Sequence, residues 1–205
     1  MDILLTGGNG LFGKELRKHL KVDAPSHAKF DIVSDTIPKE SYDLVIHAAA
    51  YTDVVKAEKD RLKCFAVNVI GTFRLAKQVS HTPFVYISSE YAHNPVNYYG
   101  ETKLAGETAV KAVCDTYLII RTLFKPRPFP FKKAFINQLT QGDYVDVITN
   151  LIVEEIKKWD KKTSKTVYVG TGRKTIFSLA LQTNKKVEPA SVFDVEGVVL
   201  PHDYL

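Results

Sequence analysis

The stretch Thr6–Gly13 reads TGGNGLFG, and the fold predicted for this chain follows from it. It comes directly after the short apolar run Asp2–Thr6 (DILLT), which predicts a buried strand. It leads into Lys14–Leu20, whose leucines repeat at helical spacing. A glycine-rich turn from a strand into a helix is the arrangement that binds the pyrophosphate of a dinucleotide, because the first N–H groups of the helix point at the phosphates.

The three glycines would serve different purposes in this turn. Gly7 permits the sharp exit from the strand, Gly10 lets the backbone approach a pyrophosphate, and Gly13 lets the helix pack closely on the sheet. A phosphate loop of the NTPase type is excluded, because it needs a Lys-Ser or Lys-Thr pair after its last glycine and here Lys14-Glu15 follows. The cofactor-binding residues predicted in this segment are Gly7, Asn9, Gly10, Leu11, Phe12 and Gly13.

Strand-like and helical segments alternate as far as residue 122. The further predicted strands are Lys21–Ala24, Tyr42–Ala50, Pro83–Ser88 and Tyr117–Thr122. The further predicted helical stretches are Asp53–Gln78, broken near Asp60, and Tyr98–Cys114. Apolar strands that alternate with helices indicate a parallel sheet covered on both faces. We therefore predict an α/β protein in which residues 1–122 form a Rossmann-type, doubly wound, NAD(P)-binding domain.

The regular alternation of predicted strands and helices ends after residue 122. The segment Lys125–Lys133 contains three prolines and four basic residues, so it is either a connection facing a nucleotide diphosphate or a solvated linker. The elements predicted beyond it are an amphipathic helix at Tyr144–Lys158, a strand at Thr166–Val169 and a short helix at Thr175–Gln182. We predict that residues 123–205 form a small substrate-binding part packed on the C-terminal edge of the sheet.

Composition narrows the class of protein. The 205 residues are 25% charged and 45% hydrophobic with a net charge of +5, and the basic residues are dispersed, which argues against a nucleic-acid-binding protein. We expect neither a secretory leader nor a membrane span, because residues 1–10 have no basic stretch before an apolar run, and no apolar run comes near the roughly 18 residues that span a membrane. Two cysteines cannot build a disulfide framework or a zinc site, so no metal is predicted. We expect a cytoplasmic monomer or homodimer that acts on a small molecule and binds no membrane.

Two neighbouring motifs suggest proton transfer. Tyr99 and Lys103 lie four residues apart, so a helix places both on one face, and an ammonium beside a phenol would lower the tyrosine pKa toward neutrality. Such a tyrosine can exchange a proton with a carbinol oxygen during hydride transfer. Ser88 and Ser89 end the strand before this helix, where parallel sheets place ligand contacts. Ser89 is the favoured hydroxyl for a substrate carbonyl and Ser88 the alternative, although either serine could simply form the turn.

Three stretches up to about residue 122 resemble the extended short-chain dehydrogenase/reductase family, in particular its reductases of nucleotide-linked deoxysugars. They are HAAAYT at 47–52, VYISSEY at 85–91 and NYYGETKLAGE at 97–107. The resemblance implies that Ser89, Tyr99 and Lys103 are catalytic and that Lys103 also binds the nicotinamide ribose. It further implies cofactor contacts at Asp31, Ile32, Ala48, Ala49, Ala50, Asn68, Tyr99 and Lys103. The substrate contacts that it implies are Glu90, Tyr91 and Arg121.

The sequence also departs from that family. Only five residues separate Tyr91 from Asn97, where the family usually carries a longer loop over the substrate, and Leu123-Phe124 replaces the family's Ser-Trp. The substrate half is therefore shortened.

The residues after the second predicted strand favour NADP(H), with NAD(H) as the alternative. An acidic residue about 20 positions beyond the first glycine would bind the ribose of NAD. Ser26 stands near that position, with His27 and Lys29 after it, and these residues suit a 2′-phosphate. Asp23 keeps NAD(H) open as the alternative, because shifting the alignment by three residues would place its carboxylate at the position that binds the ribose.

The sequence thus predicts an NAD(P)H-dependent oxidoreductase that reduces a keto group of a nucleotide-linked deoxysugar. Two alternatives stay open: a nucleotide-sugar epimerase or dehydratase of the same superfamily, and a non-catalytic NADP-binding regulatory subunit.

Overall fold

A computed structural model describes residues 1–202. The strands are β1 (Ile3–Thr6), β2 (Leu44–His47), β3 (Phe84–Ile87), β4 (Tyr117–Arg121), β5 (Phe124–Lys125), β6 (Lys133–Phe135), β7 (Leu139–Thr140), β8 (Asp143–Tyr144), β9 (Lys165–Tyr168), β10 (Lys174–Thr175) and β11 (Glu188–Ala190). The α-helices are α1 (Leu11–Leu16), α2 (Val54–Ala57), α3 (Arg61–Phe65), α4 (Thr72–Gln78), α5 (Tyr98–Val113), α6 (Val145–Lys158) and α7 (Ile176–Leu181). A π-helical segment, Ala66–Gly71, joins α3 to α4, and short 3₁₀ turns lie at Glu90–Ala92 and Val192–Asp194.

Five parallel strands form the central sheet in the order β1-β2-β3-β4-β9. On the free side of β1, Asp23 makes a single parallel bridge with Leu4. The chain therefore moves first to one side of β1 and then to the other. In open α/β sheets this reversal creates a crevice at the carboxyl ends of the strands, and ligands bind there. The Rossmann-type parallel sheet predicted from the sequence is confirmed.

Both faces of the sheet are buried, as the apolar strand sequences predict. Leu5 and Ile46 point into a core formed with α1 and α6, whereas the adjacent Leu4 and Val45 point into a second core formed with α4 and α5. All four side chains have no exposed surface. The alternation follows from the two-residue period of a strand, so each strand needs apolar residues at every position.

The second half of the chain contributes to the central sheet as well. Helix α6 packs beside α1, and β9 adds the fifth strand next to β4. The remaining short strands pair as β5 with β8, β7 with β10 and β6 with β11 around α7. These pairs enclose a third core that contains Tyr144 and Leu179 and also reaches Tyr91 and Tyr99. The division at residue 122 stays a prediction, and residues 203–205 of its second part lie outside the described residues.

The first predicted helix and the second predicted strand differ from the structure. The first helix occupies Leu11–Leu16 rather than Lys14–Leu20, because the glycine turn is tight and the helix begins directly after Gly10. The strand predicted at Lys21–Ala24 is reduced to the bridge at Asp23. The break expected near Asp60 is present, since this residue lies between α2 and α3. Within residues 1–202, none of the helices combines the length and apolarity required to cross a membrane.

Candidate nucleotide-binding and catalytic site

The glycine turn at the end of β1 depends on the absence of side chains. Gly7 has φ +72°, and a Cβ there would lie 2.6 Å from the backbone nitrogen of Ala49. The Gly10 N–H donates to the Gly7 carbonyl at 2.9 Å and closes the turn. A Cβ on Gly13 would collide with the same carbonyl. Both Gly7 and Gly13 are therefore required for the first strand, the helix and the alanine segment to approach one another.

A cavity of about 660 Å³ opens above this turn. Its volume lies in the range of small-molecule and cofactor sites. The predicted cofactor residues that line it are Gly7, Asn9, Gly10, Leu11, Phe12, Gly13, Ser26, Asp31, Ile32, Ala48, Ala49 and Ala50. The glycines and alanines in this wall carry little or no side chain, so they leave room for a large ligand, and these residues fit a dinucleotide.

Ser26 and His27 belong to the wall of the cavity. Asp23 is not among its lining residues, because its carboxylate accepts a hydrogen bond from the Tyr42 hydroxyl at 2.9 Å and lies 3.5 Å from the Lys39 ammonium. The carboxylate that would compete with a 2′-phosphate is therefore turned away from the site.

The proposed proton donor lies in the first turn of α5. The Asn97 side chain caps this helix by accepting from the Gly100 N–H at 2.9 Å. Tyr99 follows the cap and is only 9% exposed, and burial raises its pKa to about 12, although the nearby Ser89 side chain opposes the rise. The phenol is thus protonated at neutral pH and is arranged as an acid beside a serine hydroxyl.

Lys103 does not act on this phenol in the described structure. Its ammonium donates to the Ile87 carbonyl at 2.9 Å and lies 4.2 Å from the ring centroid of Tyr86. Complete burial lowers its pKa to about 7. The expectation that Lys103 would lower the Tyr99 pKa is wrong for this structure, because the lysine stem runs to the end of β3 and desolvation dominates at Tyr99.

Ser88 and Ser89 have different partners. The Ser88 hydroxyl donates to Glu107 at 2.6 Å, and the same carboxylate receives two hydrogen bonds from Arg121, both at 2.8 Å. Ser88 is therefore bound within a buried network. Ser89 is the serine that neighbours Tyr99.

The residues predicted to contact substrate are held in structural networks. Arg121 is paired with Glu107 and also donates to the Tyr168 hydroxyl at 2.9 Å. Glu90 is 1% exposed and accepts from Thr140 at 2.6 Å and from the Gln141 N–H at 3.1 Å. These contacts tie the central sheet to the second half of the chain. Whether Glu90 and Arg121 also reach a substrate stays a prediction.

Tyr91 packs against the proposed proton donor, and Asn68 holds the segment after the alanines in place. Tyr91 packs its ring edge against Tyr99, with centroids 5.6 Å apart. Asn68 accepts from the Tyr51 N–H at 2.8 Å and donates to the Tyr51 carbonyl at 3.1 Å, which fixes the chain just beyond the alanine segment. Asn68, Ser89, Tyr99 and Lys103 all lie outside the set of residues that line the cavity.

Other residues complete the cavity wall, some of them in the segment 125–133, for which the sequence left open a position facing a nucleotide diphosphate. They are Thr6, Gly8, Pro25, Phe30, Tyr51, Thr52, Lys63, Val67, Phe124, Lys125, Pro126 and Phe131. The last four belong to the connection after β4, so the proline-rich segment faces the cavity rather than bulk solvent alone. Its position after the carboxyl end of a parallel strand was the available signal.

The parallel sheet, the glycine turn at its switch point and the Tyr99–Lys103 helix define a Rossmann-type protein of the extended short-chain dehydrogenase kind. The sequence profile of the family described as "RmlD substrate binding domain" matches residues 1–152, so the chain belongs to this family.

Two of the curated relatives are named dTDP-4-dehydrorhamnose reductase. The chain is 33% identical over 178 residues to dTDP-4-dehydrorhamnose reductase of Mycolicibacterium smegmatis and 32% identical over 181 residues to that of Salmonella typhimurium. Each match covers 73% of this chain but only 54% and 60% of the relative. The chain therefore spans little more than half the length of these two proteins.

Solved structures share the fold. The crystal structure of dTDP-4-dehydrorhamnose reductase from Bacillus anthracis in complex with NADP superposes with a TM-score of 0.78 at 24% identity. The superposition covers 98% of this chain and 87% of that one.

Proposed function

We propose that this protein is an NAD(P)H-dependent reductase of a keto group on a nucleotide-linked deoxysugar, with dTDP-4-dehydrorhamnose as the substrate type. The observation that carries the proposal is the glycine-turn cavity together with a buried Ser89–Tyr99 pair, in which Ser89 follows β3 and Tyr99 lies in the first turn of α5. The names of the curated relatives support the same activity.

The chain's own residues would divide the work as follows. A bound nicotinamide cofactor supplies the hydride. Tyr99 holds a proton on its phenolic oxygen at neutral pH and gives it to the alkoxide of the reduced sugar. The Ser89 hydroxyl donates to the carbonyl oxygen and orients it. Lys103 holds the end of β3 through the Ile87 carbonyl, two residues before Ser89, and so helps to position Ser89.

The direct test is consumption of NADPH with a panel of nucleotide-linked 4-keto-6-deoxysugars. We expect turnover with the dTDP-linked sugar. Binding of NADPH without turnover of any sugar would contradict the reductase and favour a cofactor-binding regulatory subunit. One observation supports this second function: Ser89 and Tyr99 are almost completely buried, at 6% and 9% exposure.

We also propose that the protein acts in the cytoplasm, as a monomer or homodimer, on a small molecule rather than a nucleic acid. The dispersed basic residues support this proposal, and so do the two buried free cysteines, Cys64 and Cys114, which suit a reducing compartment.

A valine at Gly10 should weaken dinucleotide binding. A Cβ there would meet only the Gly7 carbonyl, at 3.2 Å, so the turn tolerates it better than it would at Gly7 or Gly13, but a branched side chain would occupy space needed by phosphate. We expect affinity for NADPH to fall at least about 10-fold, the loss of one or two charge-assisted hydrogen bonds. Gly172→Val is the matched control, since nothing lies within 4 Å of a Cβ at that glycine. Equal affinities of a folded Gly10→Val protein and the wild type would show that the ligand does not use this turn.

The protein should bind NADPH more tightly than NADH. Ser26 and His27 line the cavity, whereas the Asp23 carboxylate is bonded to Tyr42 outside it. Because a charge-assisted hydrogen bond contributes about 1.5–3 kcal/mol, we expect a preference of at least about 10-fold. Titration of both cofactors measures it, and Ser26→Asp should reduce it by placing a carboxylate next to the 2′-phosphate. Tighter binding of NADH by the wild type would contradict the assignment.

A further inference from the structure

A lysine that none of the assigned roles uses lies in the cavity wall. Lys125 ends the short strand β5, which pairs in parallel with β8 through Lys125 and Tyr144. It lines the cavity together with its neighbours Phe124 and Pro126. The pairing with β8 fixes its backbone, so Lys125 lines the cavity from an ordered element.

Lys125 differs from the basic residues around it because its ammonium lacks a close partner. Arg127 pairs with Asp146 at 3.0 Å, and Lys174 pairs with Asp143 at 3.2 Å. Across the described part of the chain, 1–202, Lys125 makes no side-chain hydrogen bond and no ion pair within 4.0 Å.

The carboxylate that acts on Lys125, that of Glu90, already has other hydrogen-bond partners. Glu90 attracts Lys125 electrostatically, but its oxygens accept from Thr140 and from the Gln141 N–H. Burial lowers the Lys125 pKa, which reflects the cost of an ammonium partly removed from water. A half-buried cation without a counterion is unfavourable, so an anion in the cavity would stabilise it.

The position of Lys125 indicates which anion. Its neighbour Phe124 stacks on Phe12, with ring centroids 5.8 Å apart, and Phe12 belongs to the first turn after the glycine loop. Lys125 therefore follows a residue that contacts the segment just after the glycine turn, and both line the same cavity. The glycine turn itself provides backbone donors but no positively charged side chain inside Thr6–Gly13.

We propose that Lys125 binds the diphosphate group of the nucleotide that occupies this cavity. The inference rests on the proposed function only in taking a dinucleotide or a nucleotide sugar as the ligand. A diphosphate is common to both, so the experiment must distinguish the two sources.

The test compares Lys125→Met with Lys132→Met by calorimetric titration of NADPH, NADH and dTDP. Methionine keeps the apolar stem of the lysine and removes only the charge. Lys132 is the matched control, because it is exposed on the same connection and does not line the cavity. We expect Lys125→Met to weaken the diphosphate ligand at least about 10-fold, the effect of one charge-assisted hydrogen bond, and Lys132→Met to have little effect. Lys125→Arg should retain most of the affinity.

The three ligands separate the outcomes. Similar losses for NADPH and NADH would support a contact with the cofactor diphosphate, and a loss for dTDP alone would support the substrate diphosphate. A loss for NADPH without one for NADH or dTDP would overturn the inference, because the contact would then be with the 2′-phosphate. Unchanged binding of all three by Lys125→Met would also overturn it, and the proposed function would survive. If the wild type bound none of them, the proposed function itself would fail and the inference with it.

Discussion

Replacing Tyr99 with phenylalanine should lower turnover at least about 100-fold, the usual effect of losing a positioned proton donor. The phenol is buried beside Ser89, and its pKa of about 12 keeps the proton on the oxygen throughout the neutral range. Cofactor affinity should change little, because Tyr99 does not line the cavity. The measurement is steady-state NADPH oxidation with a dTDP-linked 4-keto-6-deoxysugar, paired with a binding titration.

Tyr98→Phe is the matched control for this experiment. Tyr98 precedes Tyr99 in the same helical turn, but its ring lies under the Arg61 guanidinium, 4.8 Å away. We expect the loss of the Tyr98 hydroxyl to leave turnover nearly unchanged. A Tyr99→Phe protein with the wild-type rate would show that the proton comes from elsewhere.

The pH profile gives a second readout of the same assignment. An acid is active in its protonated form, and a pKa raised to about 12 keeps Tyr99 protonated well above neutrality. Tyr99 should therefore cause no loss of turnover between pH 7 and roughly pH 10, since protonation falls only near the pKa.

Ser89→Ala combined with Tyr99→Phe should lower turnover by less than the product of the two single losses, because the effects of residues that act together are not additive.

The sequence predicted the central sheet well because its strands are buried on both sides. The runs at residues 3–5 (ILL) and 44–46 (LVI) have no polar face, and only a doubly covered sheet accommodates them. The predicted first helix began three residues too late and ended four residues too late, because a leucine repeat does not show that the helix begins directly after Gly10 and ends at Leu16. The fifth strand was recognised as a strand, but its place beside β4 depends on the packing of α6 against α1.

The candidate site was predictable where backbone conformation decides it. The three glycines and the alanine segment line one cavity as their pattern implies. The chemistry of individual side chains was harder to predict, because the burial and the hydrogen-bond partners of a side chain arise from tertiary structure. Helical spacing placed Tyr99 and Lys103 on one face, yet it could not show that the ammonium bonds to Ile87 and that desolvation dominates at the phenol. A sequence pattern likewise cannot tell a substrate contact at Arg121 from a buried ion pair.

Replacing Glu107 with alanine should destabilise the protein by about 3–5 kcal/mol, the typical cost of breaking a buried ion pair. Glu107 has no exposed surface, and its carboxylate receives two hydrogen bonds from Arg121 and one from Ser88. These bonds raise the Arg121 pKa above its ordinary value, so the guanidinium stays charged and would be left without its counterion. The free energy of unfolding in urea measures the loss.

An exposed pair on another helix sets the scale for this experiment. Glu154 lies 3.8 Å from Lys158 on α6, and both side chains are more than half exposed, at 61% and 73%. Glu154→Ala should cost less than about 1 kcal/mol, because solvent screens the pair. The double variant Glu107→Leu with Arg121→Met should be less destabilised than Glu107→Ala, since no charge is then left unpaired. If Glu107→Ala were as mild as Glu154→Ala, the ion pair would not be needed for folding. Arg121 would then be available for the substrate contact that the sequence predicted, because releasing it from Glu107 would cost little.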